Sequence, residues 1–353
     1  MRPRVQISPP RQHREPGFYI RAPFLFNGSA AMKIPGLVKK NKWLFIAAKF
    51  LLACSVMILV VRAVEFERIA ETLQNPQYPH RIWLAWFLLI PNLMIQWYRW
   101  HFLLRQIRPG LPVMESVQSF FGGQVVGFIT PGRIGEIGRT LFLEKTDRIQ
   151  SIGMVFIDKF YAFAVIVIAG IWGFVVILGG MFDYHVFVLI PMLVIALSVS
   201  LLLLILSLRP EIIRGFLYHL SVILPVRDRM KEVIHCMDRM ERGQAHRFFW
   251  MTVLFYISFI VQFCLLANAF EEIALWKSIS ATSATMFAKT LLPVSVGDLG
   301  IREGASVFFF MKMGVGKVAA FNGSFLLFII NILFPTLIGI CFLPKMSLRS
   351  KAD

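Results

Sequence analysis

Six stretches of this chain, residues 43–61, 82–104, 151–178, 186–208, 248–269 and 318–343, are apolar over the thickness of a lipid bilayer. A spanning helix needs roughly 18–20 such residues, because away from water every backbone polar group must find its partner inside the segment. Hydrophobic residues make up 57% of the chain and charged ones 16%, and the mean hydropathy is +0.67, so most side chains face lipid or packed helices. Trp43, Trp83, Trp100, Trp250 and Trp276 sit near segment ends, where interfacial belts form. These features predict an all-α polytopic membrane protein.

Two further stretches are apolar but broken. Residues 128–139 read FITPGRIGEIGR and residues 291–303 read LLPVSVGDLGIRE. An offset of 162 residues (293 minus 131) matches Pro131 with Pro293, Gly135 with Gly297, Glu136 with Asp298 and Gly138 with Gly300. A pattern P-x-x-x-G-[E/D]-x-G that occurs twice in an apolar chain points to a duplicated membrane fold with interrupted helices at the repeat interface.

Charge distribution orients the chain. The formal net charge of +17 comes from basic residues clustered before the first span and in the loop 209–247. That clustering follows the positive-inside rule and gives no reason to invoke nucleic acid. With both clusters in the cytoplasm, residues 115–143 form two arms, 115–130 and a shorter one after it, each too short or too broken to cross, and the topology count makes 277–313 their counterpart. The segments read as two re-entrant helical hairpins beside about six spanning helices. Three crossings separate the hairpins, so they enter from opposite sides. The result is an inverted-topology repeat, about 82–178 against 244–340, within an integral domain 43–345, with both termini cytoplasmic. Residues 1–42 read as a basic disordered segment, of which 1–31 fits a start codon placed too early, and 346–353 as a tail. In the loop 209–247, Ile212, Phe216, Leu220 and Ile223, then Met230, Val233, Met237 and Met240, recur at helical spacing. Two amphipathic helices on the anionic inner leaflet are expected there. Cys54, Cys236, Cys264 and Cys341 are scattered, and no spacing implies a disulfide, a metal or a cofactor.

Charges inside hydrocarbon are costly and usually paired, inward-facing and functional. Arg133, Glu136 and Arg139 in the first copy, and Asp298, Arg302 and Glu303 in the second, are therefore candidate substrate-binding residues. Helix N-termini after the turns favour an anion, and arginine can grip phosphate or carboxylate bidentately. The turns themselves are assigned to Pro131, Gly132, Gly135, Gly138, Pro293, Gly297 and Gly300, and secondary cavity candidates are Asp158, Lys159 and Lys289. The alternative is that these charges pair with one another to cap broken helices, and that Asp158 and Lys159 form an interfacial pair with Lys159 snorkelling.

The stretches TPGRIGEIGR and LPVSVGDLGIREG resemble the two signatures of the lysylphosphatidylglycerol synthase transmembrane family, also called flippase-like membrane proteins. The resemblance covers about residues 33–345. It implies movement of an anionic lipid or lipid-linked headgroup between leaflets, in a bacterial cytoplasmic (inner) membrane, with membrane lipids as partners and a synthase or transferase as a further one. Bifunctional members carry a soluble aminoacyl transferase after the membrane part. No such part follows the last span here, so aminoacyl transfer is not expected. The competing reading is a membrane-embedded enzyme, or an accessory subunit of one, acting on a lipid-phosphate. Against it, no clustered aspartates, His–Glu metal motif or nucleotide loop is present, so no catalytic residue is assigned. Without an ATP-binding element, transport would run downhill or on an ion gradient.

Overall fold

The computed structural model describes residues 66–130, 133–144, 146–183, 185–212, 214–215, 240–292 and 299–342. The expected span 43–61, the segment 1–42, most of the basic loop, the tail 346–353, and Pro131, Gly132, Pro293, Gly297 and Asp298 lie outside the described residues. All of those described fall in one compact unit, Phe45–Asp353. Among them the regular structure is wholly helical: α1 (Phe66–Gln74), α2 (Pro79–Ile107), α3 (Val113–Ile129), a 3₁₀ segment (Ile134–Phe142), α4 (Arg148–Met181), α5 (Val186–Leu208), α6 (Arg242–Ala267), α7 (Leu275–Leu291), α8 (Ile301–Lys312), α9 (Lys317–Phe328), a π turn (Ile329–Leu333) and α10 (Phe334–Ile340).

Among the described residues, four helices are long and apolar enough to cross a membrane: α4, α5, α6 and the continuous run Lys317–Ile340. Their boundaries follow local signals. Asp147 caps α4 by accepting a hydrogen bond from the Ile149 N–H (2.9 Å). At the start of α6, Gln244 reaches back to the Glu241 N–H (3.1 Å), half of a capping box. Helix α2, with 29 residues, is longer than three of the four, but it buries Asn92, Arg99 and His101, and polar residues dilute its apolar run. On α5 only Ala196 and Ser207 are buried. Its Val, Leu and Ile side chains face outward, the arrangement expected where the solvent is hydrocarbon.

The offset that relates the two signatures also relates the helices around them. Shifted by 162, α2 falls on 241–269, against α6 at Arg242–Ala267, and α3 falls on 275–291, the bounds of α7. Both α3 and α7 have 17 residues. Such a helix is about 26 Å long, less than the roughly 30 Å of a hydrocarbon core. Packing repeats as well: α4 lies against α7, and α10 against α3. Small residues allow both approaches. A Cβ on Gly173 of α4 would stand 2.6 Å from the Ser280 carbonyl, and one on Gly339 of α10 would stand 2.4 Å from the Phe121 carbonyl.

Between the halves, α2, α6 and the π turn share a buried amide network. Asn92 donates to Gln262 (3.1 Å) and Asn331 (3.2 Å), and Asn331 donates to Gln262 (2.8 Å). The extra residue of a π turn rotates the helix locally, and Asn331 sits at its middle. Three amides satisfying one another in an apolar bundle fix the register of those helices more than they add stability.

Candidate functional site

The first signature folds as a hairpin of α3 and the 3₁₀ segment, and its glycines explain how closely the arms meet. In a 3₁₀ helix residues three apart eclipse, so Gly135 and Gly138 share one face while Glu136, Arg139 and Phe142 form a ridge. That ridge lies in a groove of α3 made by three glycines. A Cβ on Gly122 would meet the Phe142 ring at 2.4 Å, on Gly123 the Arg139 Cβ at 2.6 Å, and on Gly127 the Glu136 Cγ at 2.7 Å. Ile137 on the remaining face is exposed, as is Leu141 at the end of the glycine face.

Three sets of polar contacts hold the hairpin. At the turn, Thr130 Oγ1 accepts from the Gly135 N–H (2.6 Å), and Arg133 adopts the left-handed conformation (φ 54°). For a residue with a Cβ that conformation costs about 1–2 kcal/mol. At the base, Glu115 accepts from Arg108 (3.0 Å) and from the Glu144 N–H, tying both arms to the end of α2. Midway, buried Trp100 donates to Ser119 Oγ (3.0 Å), and Ser119 donates to the Arg139 carbonyl (2.7 Å).

Against this hairpin, α2, α4, α6 and α7 enclose a cavity of about 360 Å³. Part of its lining is charged. Asp158 bridges two buried arginines, Arg99 (2.7 Å) and Arg139 (2.9 Å), and Arg139 also lies 3.8 Å over the Trp100 ring. Glu136 is shared between Lys159 and Arg133, and Arg133 also donates to Gln124. The Arg133 Nε is 2.8 Å from Glu136 but off the line of its N–H, so the contact is an ion pair without a hydrogen bond at that atom. Arg99 and Arg139 likewise each keep a buried Nε–H with no acceptor. Apolar side chains share the lining, among them Phe163, Ile166, Phe255, Phe259 and Met286.

Of the candidates named from sequence, Arg133, Glu136, Arg139, Asp158, Lys159 and Lys289 all line this cavity. Asp158 and Lys159 serve different partners rather than each other. Arg302 and Glu303 are not among its lining residues. They are buried against one another (2.6 Å), with Arg302 also donating to Ser324 (3.1 Å), and Glu303 caps α8 through the Gly300 N–H (2.8 Å). Gly300 itself has φ 83°, a conformation that requires glycine. Five polar lining residues, Gln96, Arg99, Gln124, Tyr256 and Thr290, were not among the sequence candidates. Arg99 had a readable signal, since it lies within the apolar run 82–104 as Tyr-Arg-Trp.

The arrangement offers several cations to an anion and apolar side chains to whatever is attached to it. No curated protein and no solved structure matches the chain. The model of the lysylphosphatidylglycerol synthase TM region does match, over residues 46–339. The chain therefore belongs to the lysylphosphatidylglycerol synthase TM region family, as an integral membrane protein related to lipid modification or transport.

Proposed function

We propose that this protein moves an anionic lipid or lipid-linked group between leaflets, with the cavity against the first hairpin as the seat of the headgroup. The observation that carries this reading is the cavity's mixed lining: five cations and two carboxylates share it with seven apolar side chains. An amphiphile satisfies both kinds of lining at once, whereas a wholly polar solute would leave the apolar side chains unmatched. Arg133, Arg139 and Arg99 contact the anion, and Glu136 and Asp158 hold them until it arrives. The protein works in a bacterial cytoplasmic membrane and can receive its lipid from a separate synthase or transferase.

Purified protein in liposomes is expected to translocate a fluorescent anionic phospholipid. Arg133→Gly tests the site cleanly, because glycine relieves the left-handed backbone while removing the charge. The initial rate should fall at least about tenfold, the equivalent of one charged hydrogen bond, with thermal stability retained. Chemical conversion of the lipid without translocation would refute the transport reading in favour of a membrane-embedded enzyme.

We take the two short helix pairs, α3 with the 3₁₀ segment and α7 with α8, as re-entrant hairpins of opposite orientation. Their matched offsets and their sub-bilayer helix lengths support this. Ile129 and Leu291 are equivalent and exposed (129 plus 162). In a background without other cysteines, Ile129→Cys should react with an impermeant thiol reagent from the cytoplasmic side and Leu291→Cys from the other. Reaction of both from one side would exclude the inverted repeat.

A further inference from the structure

Resting on the headgroup reading above, we propose that the group bound in this cavity is a doubly charged phosphate, a phosphomonoester or diphosphate, rather than the singly charged phosphodiester of common anionic phospholipids. The warrant is a charge count among the side chains lining the cavity. Arg99, Arg133, Arg139 and Lys159 face Glu136 and Asp158, and each carboxylate is already shared by two cations. Two positive charges remain in excess, before Lys289 is considered. Arg99 and Arg139 are almost fully buried, and uncompensated charge is expensive where water is excluded. A monoanion would cancel one of these charges. A dianion cancels twice as much and leaves the internal ion pairs in place. The apolar side chains in the same lining place the source of that phosphate on a lipid rather than in solution.

Two lipids with the same acyl chains isolate the charge: phosphatidic acid, a phosphomonoester, and phosphatidylmethanol, a phosphodiester. The second ionisation of a phosphomonoester lies near pH 6, so at pH 8 the pair carries about two charges against one. Binding of each to the full chain in detergent, measured by native mass spectrometry, should favour phosphatidic acid at least about tenfold, as expected for one further charge-assisted contact. In Arg133→Gly, where the excess drops from two to one, that preference should shrink to about threefold or less. Equal binding of the two lipids by the unaltered protein would overturn the dianion assignment and leave the headgroup reading standing. Binding of inorganic phosphate or diphosphate with no binding of either lipid would overturn both. A preference untouched by Arg133→Gly would remove this cavity as its source.

Discussion

Asp158→Asn is expected to lower the stability of the protein by about 3–5 kcal/mol, the range for removing one partner from a buried ionic cluster. Asp158 gives one carboxylate oxygen to Arg99 and the other to Arg139, and neither arginine is appreciably exposed. With the carboxylate gone, two buried guanidinium groups are left without their shared partner, and Arg139 keeps the Trp100 ring and the more distant Glu136 as favourable electrostatic contacts. Thermal melting in detergent checks the size of the loss, and a double-mutant cycle checks its cause. In an Arg99→Met background the same Asp158→Asn change should cost markedly less, because only one arginine is then stranded. Equal costs in both backgrounds would mean that Asp158 acts through helix packing. An added dianionic lipid should restore part of the stability of Asp158→Asn, since it can supply the missing negative charge.

The second large effect is expected at the hairpin turn. Gly135→Ala would put a Cβ 2.3 Å from the Val126 carbonyl and 2.4 Å from Thr130 Oγ1, both of them parts of the turn itself. Neither atom can withdraw without breaking the turn, so a loss of about 3 kcal/mol follows, at the upper end for overpacking. Transport should be lost with it, because Arg133 and Glu136 flank the altered residue. Gly243→Ala is the control. Nothing stands within 4 Å of its Cβ, and it lies within α6, so stability should be unchanged or higher by up to about 1 kcal/mol. If Gly135→Ala melts like Gly243→Ala, the close approach of the two arms is not what holds the hairpin.

Sequence reading went furthest where the physics is local. Residues 186–208 are delimited by hydropathy alone and coincide with α5, because most of that helix's surface faces outward. The signature glycines announced an interrupted, close-packed stretch, and the 3₁₀ ridge in its glycine groove is what they permit. Arg133, Glu136 and Arg139 were candidates because charges in apolar surroundings stand out. The alternative that such charges pair with one another was equally legible, and ion pairs occur in both signatures. The charges of the first signature pair while lining a cavity, and Arg302 and Glu303 pair within the helix packing. The two cases look alike in sequence, since each is an arginine and a carboxylate beside a glycine turn.

Composition, the 162-residue offset and the position of each charge along the chain were determined by the sequence itself. Each depends only on neighbours in the chain or on a count, and that was enough for membrane class, family and helix boundaries. Which charges meet was decided only by the tertiary structure. Arg99 on α2, Arg139 on the 3₁₀ segment and Asp158 on α4 come from three separate elements. They converge because α2 pins the hairpin through Trp100 and Ser119 while the glycines of α3 let its second arm approach. Ion pairing falls off within a few ångströms, so a shift of one helical turn in any of the three would separate them, and no periodicity in a single segment carries that information.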